Sequence, residues 1–257
     1  MHPPLTFESL AAAFFVAFAV AAPATRAPKP RRAQAVLVSL TLAVTVIAAT
    51  WLPTDLRGWL GHLYLVAGYW IPALLVNSPH QASGFENWLI RSDAHCRKFA
   101  ISLPAWTAFI LELSYLLCYF LIPTAFVFVW SNGTASDVDR FWTAVLLSGF
   151  VCYGSLPWLI SRPPRTLTGA TTKAVGVRGV NQFVLARVSH GLNTFPSGHV
   201  AVSLAAALGV VPLSQPAGIS LLVVASAIAA GAVVGRYHYA LDVAFGAVLG
   251  MIVSMIV

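Results

Sequence analysis

His199, His238 and Asp242 are the side chains whose types and spacing best suit catalysis in this sequence. His238 and Asp242 are four residues apart, so they share one face if a helix begins here. A carboxylate that accepts the Nδ1 proton of an imidazole leaves Nε2 free as a nucleophile, and a second imidazole can protonate the group that leaves. We therefore predict a catalytic set of His199, His238 and Asp242. The alternative for Asp242 is a structural ion pair with Arg236, because an unpaired carboxylate inside a membrane costs about 2.5–3.5 kcal/mol.

The segment FPSGHVAVS, residues 195–203, places polar residues directly before an apolar run. Pro196 can precede a helix without losing a needed hydrogen bond, and Ser197 is a favourable N-cap residue. The first amides of that helix would form an anion site, where Gly198 lets a phosphate approach the backbone closely. We predict that Ser197 and Gly198 bind phosphate. The alternative is an ordinary helix cap beside a histidine at the membrane interface.

Three arginines accompany these residues. Arg162 and Arg165 flank two prolines in SRPPRTL, residues 161–167, and Arg236 lies in GRYHYALDV, residues 235–243. Guanidinium groups match the geometry of phosphate oxygens. We predict that all three arginines bind phosphate. The alternative is that they anchor helix ends at a membrane surface.

Glu112 is an ionisable residue within the apolar segment FILELSYLLCYF. Tyr115 and Tyr119 follow it at three and seven residues, which makes a polar stripe along one face of a helix. An ionisable residue at such a place is a functional hypothesis by default. We predict that Glu112, with Tyr115, binds and positions an active-site arginine without contacting the substrate itself. The alternative is an ion pair of purely structural importance.

The composition requires a membrane. The chain has 257 residues, of which 58% are hydrophobic and 9% charged, and its mean hydropathy is +0.80. Soluble domains carry about 25% charged residues. This chain has too little polar surface to cover a globule in water, so we predict an integral membrane protein.

Long apolar runs without strand-like alternation predict helices rather than a barrel. The predicted fold is all-α, a polytopic membrane bundle of about eight helices. These are at about 7–25, 34–52, 59–77, 105–130, 141–160, 199–213, 218–235 and 239–257.

Basic residues are concentrated in the loops on one side of these helices. Only Arg57 and Arg140 of the 15 Lys and Arg lie on the other side. The positive-inside tendency makes the basic side cytoplasmic and places the N-terminus outside. The segments SRPPRTL, FPSGHVAVS and GRYHYALDV all fall on the basic side. The hairpin of the sixth and seventh helices brings His199 and His238 together. We therefore expect a protein of a bacterial inner or plasma membrane with its active site on the cytoplasmic side.

The basic loop that contains FENWLIRSDAHCRK has a pattern of its own. Phe85, Trp88 and Leu89 have helical spacing, with charged residues between them. An amphipathic helix on the inner membrane surface is one interpretation. A polar loop is the other.

Together these segments resemble the type 2 phosphatidic acid phosphatase superfamily, which includes vanadium haloperoxidases and sphingolipid phosphotransferases. PSGH at 196–199 matches its second motif, and HYALD at 238–242 matches the end of its third. Arg162 and Pro163 match the end of the first motif. The resemblance covers about residues 59–257 and implies a six-helix catalytic core there, with residues 1–58 forming two additional transmembrane helices.

The chain departs from the family pattern at two positions. Ser155 stands where the first motif has a lysine, and Ala232 stands where the third motif has an arginine. Arg236, about one helical turn further on, is the substitute we expect for that arginine. The compact RYHY and HY…D sequences resemble the branch of inositolphosphoryl and sphingolipid transferases.

The resemblance implies a phosphohistidine on His238, with Asp242 orienting that ring and His199 acting as the acid and base. The first hypothesis is a lipid phosphate phosphatase that needs no metal and no cofactor. The second is a phosphotransferase that moves a phospho-headgroup to a lipid hydroxyl, and the third is a non-catalytic lipid-binding protein. We expect a lipid phosphate and the bilayer as partners, and no nucleic acid. Protein partners stay open.

Overall fold

The computed structural model describes residues 3–76, 83–94, 103–167 and 176–257. Helices are the regular elements of this part of the chain, which confirms the predicted all-α class. They are α1 Thr6–Ala21, α2 Lys29–Ala49, α3 Thr54–Arg57, α4 Leu60–Leu74, α5 Gly84–Ser92, α6 Ala105–Leu116, α7 Cys118–Asn132, α8 Ala135–Gly154, α9 Val177–Val188, α10 Gly198–Val210, α11 Gln215–Val234 and α12 Ala240–Ile256.

Three segments of the described chain are long and apolar enough to cross a membrane, namely Thr6–Ala24, α2 and α11. A fourth is the pair α6 and α7, which were predicted as one helix but meet at an angle of 51°. The two helices separate at Leu117, whose amide bonds to Ser114, three residues back, as in a tight turn. The orientation of the bundle in the membrane stays a prediction.

The helix that begins at PSGH is shorter than a typical span. Helix α10 has 13 residues, which is about 20 Å of helix against a bilayer core of about 30 Å. It packs against α7, α8, α11 and α12, and most of its side chains are buried. Because its neighbours shield it from lipid, α10 does not need the length of a span.

Two glycines bring α12 into close contact with α10. A Cβ atom at Gly246 would lie 2.5 Å from the Ser197 carbonyl oxygen, and one at Gly250 would lie 2.6 Å from that of Ala201. Small residues four apart allow two helix backbones to approach in this way. This contact fixes where α12 begins relative to α10, and therefore where Asp242 lies relative to His199.

The N-terminal helices are joined to the rest by a buried ion pair. Helix α1 packs against α2, α4 and α8. The guanidinium of Arg57 in α3 donates to both carboxylate oxygens of Glu8 in α1, and both side chains are at most 1% exposed. Asp139 in α8 accepts hydrogen bonds from the amides of Thr6 and Phe7 at 3.0 Å. Charged groups thus dock α1 at one end of the bundle.

Glu8→Gln is expected to lower the free energy of unfolding by about 3–5 kcal/mol, because it leaves the Arg57 guanidinium buried without a counter-charge. The matched control is Asp55→Asn, which removes an exposed carboxylate two residues from Arg57. Thermal unfolding in detergent micelles measures both. Equal melting temperatures for the two variants would show that the ion pair does not hold α1 in place.

Candidate active site

The two predicted histidines and the aspartate form a row at one end of the bundle. His199 lies in the first turn of α10, His238 lies in the link from α11 to α12, and Asp242 lies in the first turn of α12. His199 Nδ1 is 3.4 Å from His238 Nε2, and His238 Nδ1 is 3.2 Å from Asp242 Oδ2. Since a carboxylate accepts hydrogen bonds, this geometry places the His238 proton on Nδ1 and turns the Nε2 lone pair towards His199.

Asn193 is a site residue that the sequence analysis missed. Its side-chain Nδ2 donates to Asp242 Oδ2 at 2.6 Å and to Ser161 Oγ at 3.2 Å. Its backbone forms an isolated bridge with Ser161, in which Asn193 N donates to Ser161 O at 2.9 Å. Asn193 is 1% exposed. It therefore holds the same carboxylate oxygen that orients His238, and only the position of an Asn just before PSGH could have suggested this.

The turn before α10 satisfies part of its backbone with a side chain from the same turn. Ser197 occupies the N-cap position, as predicted, but its side chain makes no capping hydrogen bond. The amide of Gly198 donates instead to Thr194 Oγ1 at 3.2 Å, so the predicted anion site at this amide is already filled by a hydroxyl four residues earlier. The Ser197 amide donates to the Asp242 carbonyl oxygen at 2.8 Å. The Ser197 hydroxyl is buried and has no hydrogen-bond partner among the described residues.

Ser155, at the position of the missing lysine, also holds this turn. Its hydroxyl lies 2.5 Å from the Phe195 carbonyl oxygen and 2.8 Å from that of Cys152. These contacts tie the end of α8 to the residue before Pro196. Ser155 thus has a positioning role and presents no positive charge to a ligand.

Arg162 is held by a carboxylate that the sequence analysis did not pair with it. Its Nε and Nη2 bind the two oxygens of Glu86 at 3.0 Å each, and its backbone amide binds Glu86 Oε1 at 2.8 Å. Glu86 belongs to α5, so the amphipathic segment forms a helix up to Ser92, and its residues 95–98 lie outside the described residues. Its neighbour Phe85 packs on Phe195, with ring centroids 5.1 Å apart. Glu86 thus holds Nε and Nη2 of Arg162, which leaves Nη1 for the phosphate contact predicted for this residue.

Arg165 and Arg236 are joined through their backbones, the Arg165 amide donating to the Arg236 carbonyl oxygen at 3.0 Å, but their side chains have different surroundings. The Arg165 guanidinium lies 5.3 Å from the centre of the Tyr237 ring and is close enough to His199 to act on it electrostatically. Arg236 has a left-handed backbone, with a φ of 62°. Its side chain lines a separate cavity of about 560 Å³ that also contains Arg91 and Asp93. A phosphate pocket shared by all three arginines stays a prediction.

Glu112 binds a different arginine from the predicted ones. Arg178 Nε donates to Glu112 Oε1 at 2.8 Å, while Asn181 Nδ2 and the Tyr237 hydroxyl donate to Oε2 at 2.9 and 2.5 Å. Arg178 and Asn181 belong to α9, in a stretch predicted as a loop. Tyr115 stacks on Tyr237 with ring centroids 4.0 Å apart, and its ring centre is 5.6 Å from that of His199. Glu112 therefore contacts the site indirectly, through Tyr237 and Tyr115. Its carboxylate holds α9 in place by binding Arg178 and Asn181.

A largely apolar cavity of about 480 Å³ opens beside His199. Val66 and Trp70 of α4, Ile122 of α7 and Val202 of α10 contribute apolar wall. A cavity of this volume accepts much of a drug-sized ligand. The histidine row is thus next to space that suits an apolar chain.

His190 is a second residue near the site that the sequence analysis missed. Its ring stacks on Tyr69, which lines the cavity, with centroids 4.3 Å apart. Its Nδ1 accepts a hydrogen bond from the Leu192 amide at 3.2 Å. Burial lowers the pKa of His190 to about 4. His190 is therefore neutral at pH 7, with its proton on Nε2.

Residues 140–257 match the family model of the PAP2 superfamily. The matched region contains His199, His238, Asp242 and Asn193, whereas Glu86 and Glu112 precede it. No curated protein and no solved structure gives a significant match to the chain. The match supports the superfamily for this part of the chain and leaves the branch within it open.

The depressed pKa of His190 predicts a loss of stability in acid. The unfolded chain binds a proton as the pH falls through about 6.5, and the folded chain does so only near 4. Stability therefore falls as the pH drops between these values, by at most about 3 kcal/mol. His190→Asn keeps an acceptor for the Leu192 amide but cannot be protonated. Wild type is expected to be the more stable protein at pH 7, and its advantage in unfolding free energy should shrink by about 2 kcal/mol at pH 5. A pH-independent difference between the two proteins would contradict the assignment.

Proposed function

We propose that this protein is a membrane phosphatase that hydrolyses a lipid phosphate through a phosphohistidine on His238. The observation that carries this proposal is the row from His199 to His238 to Asp242, which lies inside the superfamily match and opens beside an apolar cavity. The membrane helices and the cavity support a lipid as the phosphate ester. The basic loops support a site on the cytoplasmic side, with the N-terminus outside.

The first step forms a bond from His238 Nε2 to phosphorus and breaks the bond from phosphorus to the lipid oxygen. Asp242 accepts the hydrogen bond from His238 Nδ1 and stabilises the positive charge that develops on that ring. His199, which takes up a proton as the anionic phosphate group binds beside it, gives that proton to the departing alkoxide. The lipid alcohol then leaves along the cavity.

The second step returns the enzyme to its initial state. Neutral His199 takes a proton from a water molecule, whose oxygen attacks phosphorus as the bond to His238 breaks. Phosphate is released and His199 is protonated again. An alcohol in place of water would make the same site a phosphotransferase, so the acceptor decides between the two activities.

The contact between the two imidazoles has to open for this chemistry. A separation of 3.4 Å between His199 Nδ1 and His238 Nε2 leaves no room for a phosphoryl group between the rings. His199 lines the cavity, whereas His238 is fixed by Asp242. We therefore assign the movement to the His199 ring, which turns towards the cavity when substrate enters.

Arg165 is the arginine that the geometry favours as the phosphate ligand. It acts electrostatically on His199, whereas Arg162 is bound to Glu86 and Arg236 lines the other cavity. The Ser197 hydroxyl, buried beside Asp242, is suited to bind a phosphoryl oxygen. Positive charge placed in advance where the phosphoryl oxygens gain charge stabilises the transition state, and an arginine supplies it without a metal ion.

His238→Asn is expected to lower phosphate release at least about a thousand-fold, because asparagine keeps a donor for Asp242 but cannot carry the phosphoryl group. The screen uses phosphatidate, lysophosphatidate, polyprenyl diphosphate and sphingoid phosphate in mixed micelles, with and without EDTA. A base quench of the wild type with ³²P-labelled substrate should leave the label on His238. Added long-chain alcohol that receives the label would identify a phosphotransferase.

Turnover by His238→Asn at the wild-type rate would contradict the mechanism. Absence of turnover by wild type with every substrate, together with unchanged unfolding of the variant, would favour a non-catalytic lipid-binding protein.

Arg165→Lys is expected to lower kcat/KM about 10- to 100-fold, because an ammonium group cannot bind two phosphoryl oxygens as a guanidinium does. Arg91→Lys is the matched control, since Arg91 lines the other cavity at the same end of the bundle, and it should retain wild-type kcat/KM. The same substrate assay measures both variants. A larger loss in Arg91→Lys than in Arg165→Lys would move the phosphate site to the Arg236 cavity.

A further inference from the structure

The cavity beside His199 is lined by a buried hydroxyl that no group in the described part of the chain binds. Ser203 lies four residues after His199 on α10, so the two side chains share a helix face about 6 Å apart along the axis. Ser203 lines the cavity and is 1% exposed. Its Oγ has no hydrogen-bond partner among the described residues. A serine in a helix can bond to the carbonyl four residues back, and Ser203 does not do so.

His62 also lines this cavity and has an unsatisfied atom of its own. Its Nδ1 lies 3.3 Å from the Trp59 carbonyl oxygen. A carbonyl oxygen only accepts, so this contact puts the proton on Nδ1 and leaves a lone pair on Nε2. That Nε2 is buried and has no hydrogen-bond partner among the described residues. The ring is held by Phe126 and Trp142, with centroids 5.0 and 4.7 Å away.

Ser203 Oγ and His62 Nε2 need different hydrogen-bond partners. A buried polar group without a partner is destabilising, so a ligand that supplies the partner is favoured over one that does not. Ser203 can donate a hydrogen bond and His62 Nε2 can only accept one. A hydroxyl group can satisfy either residue. A carbonyl oxygen can satisfy only Ser203, and a plain hydrocarbon chain can satisfy neither.

We propose that Ser203 and His62 form a polar subsite within the cavity that binds a hydroxyl group carried by the apolar part of the substrate. This proposal rests on the proposed function for the position of the phosphate at His199. The substrate class is then a lipid phosphate with a free hydroxyl a few carbon atoms from the phosphate. The axial distance between His199 and Ser203 places that hydroxyl near carbon 3, 4 or 5 of the chain.

The test compares hexadecyl phosphate with its 3-, 4- and 5-hydroxy derivatives. Wild type is expected to hydrolyse the best hydroxylated substrate with a kcat/KM about tenfold higher than that for the plain chain, mainly through a lower KM. In Ser203→Ala this ratio should fall to about 1. Ser148→Ala is the matched control and should retain the ratio. The Ser148 hydroxyl is also buried and has no partner among the described residues, but it does not line the cavity.

Binding of the alcohol products provides a readout that does not need turnover. Thermal stabilisation of wild type by 1,4-hexadecanediol is expected to exceed that by 1-hexadecanol, and Ser203→Ala and His62→Phe should each lose the excess. Absence of phosphate release from every substrate, with the excess stabilisation intact, would refute the proposed function but keep the subsite. Two results would overturn the proposal and show that the two atoms bind water only. One is that wild type has the same kcat/KM for the plain and hydroxylated phosphates and the same stabilisation by the two alcohols. The other is that Ser203→Ala keeps the wild-type kcat/KM ratio.

Discussion

The site depends on a carboxylate that has to be satisfied within an apolar bundle. Asp242 has no exposed surface, and a buried carboxylate without donors is costly. His238 and Asn193 supply donors to one of its oxygens. The backbone of the same residue accepts the Ser197 amide. Its other oxygen, Oδ1, has no hydrogen-bond partner among the described residues. Through Oδ2 and its backbone carbonyl, Asp242 holds the turn before α10 and the start of α12 together, and it orients the imidazole proposed as the nucleophile.

Much of this arrangement follows from local properties of the sequence. Hydropathy predicts the all-α class and the approximate helices because each helix needs its own apolar run. The PSGH sequence predicts a helix start that the structure has at Gly198. The four-residue spacing of His238 and Asp242 predicts their contact because Asp242 lies in the first turn of α12. Hydropathy misses the first turn of α8, where Thr134 and Asp137 form a capping box before the apolar residues begin.

The contacts that decide which residues face the substrate are not local. Glu86 and Arg162 are 76 positions apart, and Glu112 and Arg178 are 66 apart. Residue type shows that an arginine can bind phosphate. Only the packed structure shows which carboxylate is paired with that arginine in the folded protein. The role of Asn193 is also non-local, because the carboxylate oxygen that it binds belongs to Asp242, 49 positions further along the chain. The close approach of α10 and α12 at Gly246 likewise becomes visible only when both backbones are in place.

An experimental structure with bound vanadate would show whether His238 attacks phosphorus, because vanadate adopts the five-coordinate geometry of phosphoryl transfer. We expect a vanadium atom bonded to His238 Nε2, with Asp242 still on Nδ1 and the His199 ring turned towards the cavity. Vanadate bound between Arg91 and Arg236, with His199 and His238 still in contact, would contradict it.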